Sequence, residues 1–148
     1  MKDNMENNTK TKCFLDTNIL IYTYDKADYE KRSYIQDFLR KNKEMNELII
    51  SIQTLGEFFN VATKKMRLDK TNVISLCEQI MNMFPVYEIT TENVFHAMKI
   101  SESTQFSYWD SLILAMAIDT GCSILYSEDL NNGQEIEGVK IVNPFAVA

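Results

Sequence analysis

Three acidic residues lie at positions where a polar side chain meets an apolar segment. Asp16 directly follows the apolar run 13–15, and Asp129 comes shortly after a second run at 124–126. Asp110 opens a segment that is apolar nearly all round. If these carboxylates meet in an otherwise apolar interior, their charges repel one another and lose hydration. A hard divalent cation with oxygen ligands, Mg²⁺ or Mn²⁺, resolves this conflict, and it typically activates water and stabilises a phosphoryl group in transfer.

Asp16 on its own also has a simpler explanation as a helix cap. The segment that follows it, Ile19-Leu20-Ile21-Tyr22, can form a helix. The first backbone N–H groups of a helix have no partner within the helix, and a carboxylate at the N-terminus accepts hydrogen bonds from them. Capping and metal binding are therefore two open roles for this residue.

Several other catalytic classes are disfavoured by what the sequence lacks. There is no Gly-rich phosphate-binding loop, which argues against an NTPase. HAD-like phosphatases need a second Asp two residues after the first, and here that position is Asn18. His96 is the only His and has no partner constellation, so a Ser–His–Asp or Cys–His mechanism is not expected.

Strands and helices are predicted to alternate along the whole chain. Short apolar runs indicate strands at 13–15, 47–51, 84–89, 123–127 and 139–142. Helices are predicted at 19–22, 26–43 and 52–66, from Asp69 or Thr71 to 83, from Thr90 or Thr91 to 103, and from Ser107 to Gly121. Ser107 and Asp110 fit a capping box. This alternation predicts an α/β fold, a three-layer α/β/α sandwich with a mostly parallel central sheet. In such a sheet Asp16 and Asp129 can lie at the same edge, and Asp110 can join them there.

A single domain is expected over residues 12–148, preceded by a mobile tail at 1–11. The 148 residues suffice for one core, and 45% hydrophobic residues with 24% charged residues are ordinary for a globular protein. Pro85 confines the strand at 84–89 to an edge or a strand start. No repeat or linker divides the chain.

The expected compartment is the cytoplasm. Cys13, Cys77 and Cys122 lie in apolar surroundings with no zinc-type spacing, which is typical of buried thiols in a reducing compartment. The N-terminal segment lacks the apolar stretch of a secretory signal. The longest apolar run, 112–118, is far shorter than the roughly 20 residues of a membrane span.

The predicted helix at 52–66 carries an acidic residue that periodicity alone assigns to solvent. On a helical wheel, one apolar face contains Ile52, Leu55, Phe58, Phe59, Ala62 and Met66. Glu57 lies nearly opposite that face, the usual position of a solvated Glu. Gly56 is unfavourable within a helix by about 1 kcal/mol relative to Ala, and its presence suggests a close approach at this point.

The densest basic cluster of the chain follows the same helix and comprises Lys64, Lys65, Arg67 and Lys70. The net charge of −6 gives no overall attraction to nucleic acid, so any such contact needs a local patch. The cluster is either a solvated helix end or a contact for RNA.

Three segments, taken in order and spacing, resemble the PIN domain, and among its members the VapC-type toxins of bacterial toxin–antitoxin pairs. They are Phe14-Leu-Asp-Thr-Asn-Ile-Leu-Ile-Tyr22, Phe106-Ser-Tyr-Trp-Asp-Ser-Leu-Ile-Leu-Ala115 and Leu125-Tyr-Ser-Glu-Asp-Leu-Asn-Asn-Gly-Gln134. The resemblance implies a metal-dependent endoribonuclease that a cognate antitoxin holds inactive, usually as a homodimer. It assigns the acidic quartet to Asp16, Glu57, Asp110 and Asp129, and the small polar positions beside it to Asn18 and Ser127.

The favoured hypothesis is an endoribonuclease toxin that uses Mg²⁺ or Mn²⁺ to cleave RNA phosphodiester bonds. Asp16 and Asp110 would be the main metal ligands, and Asp129 and Glu57 would complete the site directly or through water. The alternative is a non-catalytic PIN-like module whose carboxylates cap helices and whose basic cluster docks RNA or protein.

Two surfaces are expected to meet partners. Lys64, Lys65 and Arg67 are expected to contribute to RNA affinity rather than to catalysis. A homodimer or a tight complex with a small antitoxin is expected from an aromatic set that one small core does not readily absorb: Tyr22, Tyr24, Tyr29, Tyr34, Phe58 and Phe59.

Overall fold

The computed structural model describes residues 10–146, so residues 1–9 of the expected tail lie outside the described residues. The strands are β1 (Thr11–Leu15), β2 (Asn46–Ser51), β3 (Val86–Tyr87), β4 (Ile124–Tyr126), β5 (Glu135–Ile136) and β6 (Val139–Val142). The helices are α1 (Thr17–Tyr24), α2 (Tyr29–Met45), α3 (Ile52–Lys64), α4 (Lys70–Met83), α5 (Thr91–Ser103) and α6 (Tyr108–Asp119).

The six strands form one mostly parallel sheet in the order β3-β2-β1-β4-β6-β5. All neighbouring pairs are parallel except the β5–β6 hairpin. β3 lies at an edge, as Pro85 predicted. The chain moves from β1 outward to β2 and β3, then returns to place β4 on the other side of β1. The carboxyl ends of β1 and β4 therefore flank the point where the strand order reverses, which is where open α/β sheets bind ligands.

Helices cover both faces of the sheet and confirm the predicted three layers. Alternate residues of β1 face opposite sides, with Cys13 and Leu15 in a core shared with residues of α1 to α4. Phe14, between them, packs in a second core with α5 and α6. Residues 111–117 of α6 are all buried, as their apolar sequence predicted. In the part of the chain that the structure describes, no helix has the length and apolarity required to cross a membrane.

The length of β3, the start of α2 and the presence of β5 differ from the sequence-based expectation. Of the strand predicted at 84–89, only Val86–Tyr87 pairs in the sheet. α2 begins at Tyr29 rather than near Lys26, because the Asp28 side chain accepts a hydrogen bond from the backbone N–H of Lys31 and starts the helix there. The short strand β5 was not expected. It forms because Glu137 and Gly138 adopt φ angles of 46° and 89°, a left-handed pair that makes a tight hairpin turn into β6.

Candidate active site

Asp16 stands at the carboxyl end of β1 and is only 9% exposed. Its Oδ1 accepts a hydrogen bond from the backbone N–H of Thr17 at 2.7 Å, and its Oδ2 accepts one from the Ser127 hydroxyl at 2.8 Å. The pKa of Asp16 is raised to about 6, mainly by burial and to a smaller extent by the negative charges of Glu57 and Asp110, against the lowering effect of these hydrogen bonds. Asp16 therefore caps α1 and also belongs to an acidic cluster, so its two predicted roles are compatible.

Ser127 and Asn18 hold the segment after β4 against the start of α1. The buried Ser127 hydroxyl accepts the backbone N–H groups of Asp129 at 3.2 Å and Leu130 at 3.3 Å. Asn18 donates from Nδ2 to Asp129 Oδ2 at 3.0 Å, and its Oδ1 accepts the backbone N–H of Glu128 at 3.3 Å. Two small polar side chains thus fix the position of Asp129 relative to Asp16.

Glu57 faces the acidic cluster, and the prediction that it is a solvated surface residue is wrong. Its Oε1 accepts a hydrogen bond from the Thr17 hydroxyl at 2.6 Å, and its Oε2 accepts one from Gln53 Nε2 at 3.2 Å. The buried face of α3 is centred on Thr54, Phe58 and Ala62.

The predicted wheel missed this orientation because it counted only apolar residues and omitted Thr54, which is fully buried. Ile52, assigned to the core face, is 47% exposed. The close approach expected at Gly56 is absent among the described residues, since a Cβ built there meets nothing within 4 Å.

Asp110 lies in the first turn of α6. The Ser107 hydroxyl accepts its backbone N–H at 3.2 Å, which is one of the two hydrogen bonds of the predicted capping box. Burial raises the pKa of Asp110, and the charges of Asp129 and Glu57 add to this effect. Trp109, beside it, is 62% exposed and stacks edge-on against Tyr108 with ring centroids 4.9 Å apart.

The four predicted carboxylates line one cleft of about 1040 Å³. Lys26 and Lys65 are the cations that line it, whereas the other predicted RNA-contacting residues, Lys64 and Arg67, are exposed outside the lining. The remaining lining residues come mainly from α1, α3 and the segments that follow them: Thr17, Asn18, Ile21, Tyr22, Tyr24, Asp25, Ala27, Gly56, Asn60, Val61, Met66 and Leu68. Sequence reasoning missed Lys26, whose role depends on the turn between α1 and α2.

The donor chemistry of the cleft fits a hard divalent cation. All four acidic side chains offer oxygen ligands, which Mg²⁺ and Mn²⁺ prefer. A bound cation would also relieve the repulsion that raises the pKa of Asp16 and Asp110. Within residues 10–146, however, no three Asp, Glu, His or Cys side chains already form a metal-binding group. The ligand types fit, and their present arrangement is not a complete site.

His96 lies outside the cleft lining and holds two acidic residues elsewhere on the surface. Its Nδ1 is 2.8 Å from Asp119 Oδ1 and its Nε2 is 3.1 Å from Glu137 Oε1. His96 is therefore a half-buried residue that connects the end of α6 to the β5–β6 hairpin.

The fold and the cleft define a class of α/β domain whose acidic side chains meet at the carboxyl edge of a parallel sheet. The PIN domain family model matches residues 13–132. The chain belongs to the PIN domain family, as the three motif segments predicted.

Solved structures with the same fold extend over most of the chain. VapBC2 from Rickettsia felis, bound to a promoter DNA fragment, is 18% identical, with 88% of this chain and 97% of that chain covered and a TM-score of 0.68. A toxin–antitoxin complex from Klebsiella pneumoniae is 21% identical, with 89% and 97% covered and a TM-score of 0.64. Mycobacterium tuberculosis VapC20, described as a toxin that cleaves the sarcin–ricin loop, is 14% identical, with 76% and 86% covered and a TM-score of 0.61. None of the curated proteins compared matches the sequence.

Proposed function

We propose that this protein is a metal-dependent endoribonuclease and the toxin of a toxin–antitoxin pair. The observation that carries the proposal is that Asp16, Glu57, Asp110 and Asp129 line one cleft although they lie on four separate segments. Capping explains Asp16 alone among them by a direct side-chain bond to a helix terminus. Membership of the PIN domain family supports a nuclease.

Asp16 and Asp110 would hold Mg²⁺ or Mn²⁺, with Asp129 and Glu57 completing the coordination directly or through water. When bound, such an ion activates water and stabilises the charge that develops on a phosphodiester during hydrolysis. Thr17 restrains Glu57, and Asn18 restrains Asp129, so neutral side chains keep mutually repelling carboxylates close together.

RNA is the proposed substrate, and Lys26 and Lys65 would attract its phosphates into the cleft. The chain carries a net charge of −6, so the overall field opposes a polyanion. Two cations in the cleft lining offset that field locally. The toxin from Mycobacterium tuberculosis, which cleaves the sarcin–ricin loop, supports this substrate class.

A cognate antitoxin is the proposed protein partner, and the cleft offers a surface for it. Ile21, Val61, Met66 and Leu68 give the cleft apolar walls beside its carboxylates. A partner segment with apolar side chains and one basic residue would match both the apolar walls and the carboxylates of the cleft. The toxin–antitoxin complex among the similar structures supports such a partner.

The cytoplasm is the proposed location. Cys13, Cys77 and Cys122 are free and buried. Burial raises the pKa of all three thiols, most strongly that of Cys13, to about 11. Such thiols are unreactive structural groups, as expected in a reducing compartment.

The alternative is a PIN domain that binds RNA or protein without cleaving it. It is favoured by the lack of a ready-made metal-binding group in residues 10–146. The two proposals differ in what Asp16 and Asp110 do, so they can be separated by substitution.

A nuclease assay with several RNA classes tests the proposal. The wild type should cleave at least one class with Mg²⁺ or Mn²⁺ and lose activity with EDTA, and Asp16→Asn and Asp110→Asn should lose activity in both conditions. Asp25→Asn is the matched control, because Asp25 lines the same cleft and its carboxylate accepts only the backbone N–H of Ala27. Cleavage that persists in Asp16→Asn, or that ignores EDTA, would refute the metal-dependent mechanism.

A further inference from the structure

A second, smaller cleft adjoins the acidic one and shares two carboxylates with it. This polar cleft has a volume of about 430 Å³, and Asp110 and Asp129 line both clefts. Its other lining residues come from the segment before α6 and from the turn after β4: Ser103, Thr104, Gln105, Phe106, Ser107, Leu130, Asn131 and Gln134. The two clefts are therefore adjacent, and Asp110 and Asp129 form the junction between them.

The two clefts differ in their charges. Lys26 and Lys65 line the acidic cleft, whereas none of the described residues that line the polar cleft is a cation. Apart from the shared carboxylates, the polar cleft presents only neutral groups, among them the amides of Gln105, Asn131 and Gln134. With two carboxylates and neutral groups in its lining, the polar cleft does not favour the phosphate backbone of a nucleic acid. Neutral amides instead match the edges of bases, which unpaired RNA exposes for hydrogen bonding.

Asn131 and Gln134 form a prearranged pair in this cleft. Asn131 Nδ2 donates to Gln134 Oε1 at 3.0 Å, which leaves Gln134 Nε2 as a donor and Asn131 Oδ1 as an acceptor. The turn between them is fixed by backbone hydrogen bonds from Gly133 to Ile141 at 2.7 Å and from Ile141 to Gln134 at 2.8 Å. One donor beside one acceptor on a rigid turn is a suitable surface for the edge of a nucleobase.

We infer that the polar cleft is a base-recognition subsite for one unpaired RNA nucleotide next to the phosphodiester that is cleaved. A volume of about 430 Å³ lies within the range of small-ligand sites, roughly 300–1,000 Å³. The inference rests on the proposed function for its place in a reaction. The base is read by Asn131 and Gln134, while phosphates on the other side of the junction meet Lys26 and Lys65.

Cleavage of a single-stranded RNA library with randomised sequence tests the subsite. With Mg²⁺ or Mn²⁺, sequencing of the product ends should show a base preference at one position beside the cut for the wild type. Asn131→Ala and Gln134→Ala should each lower that preference by about tenfold. The matched control is Gln79→Ala, since Gln79 is an exposed amide on α4 outside both clefts. A wild type without a base preference, or variants that keep it, would overturn the inference.

Photo-crosslinking provides a readout that needs no cleavage. The full chain carrying Asp16→Asn would be irradiated with single-stranded RNA that contains 4-thiouridine, and the crosslinked peptides would be sequenced. Crosslinks at 103–107 or 130–134 support the subsite. If RNA is bound and no crosslink is found at these positions, the subsite is overturned. Crosslinks there without any cleavage by the wild type would refute the endoribonuclease and retain the subsite. Cleavage with crosslinks confined to α1 and α3 would support the endoribonuclease and overturn the subsite.

Discussion

At the level of single residues, Asp16 accepts a helix-capping hydrogen bond and also carries a buried negative charge that is unfavourable in the free protein. Its carboxylate caps α1 through Thr17, yet it is nearly buried and close to the charges of Glu57 and Asp110. A residue that served only as a cap would gain nothing from these neighbours, because Asn and Ser cap helices equally well without a charge. The acidic surroundings are therefore unfavourable to the free protein and favourable to a cation.

Asp16→Asn should separate the two roles in a stability measurement. Without metal the variant should be about as stable as the wild type, since it keeps the cap and loses a buried negative charge, which offsets the lost hydrogen bond from Ser127. With Mg²⁺ or Mn²⁺ at a hundredfold excess over the dissociation constant, the wild type should gain about 2.7 kcal/mol and the variant much less. Urea unfolding with EDTA and with each ion measures both quantities. An equal gain in the two proteins would place the ion elsewhere.

The direction of the Glu57 side chain could not be predicted from the periodicity of apolar residues. Asp16, Asp110 and Asp129 could be placed because each follows a strand or opens a helix. Glu57 lies within a helix, where its direction depends on which face is buried. A buried Thr54 shifted that face, and periodicity of apolar residues carries no signal for a buried hydroxyl. The motif resemblance identified Glu57, and the Thr17 and Gln53 hydrogen bonds explain its direction.

At the level of secondary-structure elements, most strands and helices were predictable from burial. β1, β2, β4 and β6 are short apolar runs, and α6 is apolar all round, so the hydrophobic effect fixes their positions. β5 has two residues and exists through its turn and its pairing with β6, both of which are tertiary features. The start of α2 depended on a cap, and two Asp residues, Asp25 and Asp28, precede it as candidates.

The end of α3 offers a matched pair of lysines to test the path of RNA. Lys65 lines the acidic cleft and Lys64 does not, although both are exposed. In an Asp16→Asn background, Lys65→Glu should weaken binding of single-stranded RNA and lower the slope of log K against log salt concentration by about 0.7. Lys64→Glu should have a smaller effect on both. Fluorescence anisotropy over a series of salt concentrations gives the two values, and equal effects would show that the cluster acts only through its general charge.

His96 joins α5, α6 and the β5–β6 hairpin, and this contact should depend on pH. Partial burial lowers the pKa of His96, but hydrogen bonds to Glu137 and Asp119 outweigh it, and the pKa lies above its usual 6.5. The protonated ring of His96 therefore stabilises the fold, and this stabilisation is fully present below about pH 6.5. It is lost as the pH rises through the raised pKa of His96.

His96→Gln should abolish this pH dependence of stability. The free energies of unfolding of wild type and variant should differ by less than about 1 kcal/mol between pH 6 and 9. Urea unfolding of both proteins across that range measures this difference, and the titration of Asp16, whose pKa is about 6, is common to both and cancels. A constant difference between the two proteins would mean that the charge of His96 does not contribute.

At the level of the whole molecule, the aromatic residues that suggested an interface mostly belong to the core. Phe58 is fully buried, and Tyr22, Tyr24 and Phe59 pack against the first core. Tyr34 is half-buried, packs against Phe145 and donates its hydroxyl hydrogen to the Pro144 carbonyl. Tyr29 is the exception, with 69% exposure. The number of aromatic residues is known from the sequence, but it does not show which of them the sheet and four helices bury.

Self-association remains a prediction with a different basis. Large apolar side chains that are at least half exposed lie on α4 and α5: Ile74, Met81, Phe95 and Met98. α4 packs on the first core and α5 on the second, so each helix offers its own exposed apolar pair as a contact for a second copy of the chain. The purified protein should therefore sediment as a dimer at tens of micromolar in analytical ultracentrifugation. A monomer at that concentration would contradict the homodimer and leave the antitoxin as the proposed protein partner.

Trp109 gives the protein an intrinsic optical probe at the site. It is the only Trp in the chain, it is 62% exposed, and it precedes Asp110 directly. Indole emission depends on contact with water and on nearby charges, so a metal ion or an RNA base that arrives beside Asp110 should change its intensity or wavelength. Because no second Trp contributes background, binding constants for both ligands can be read from unlabelled protein in a simple titration.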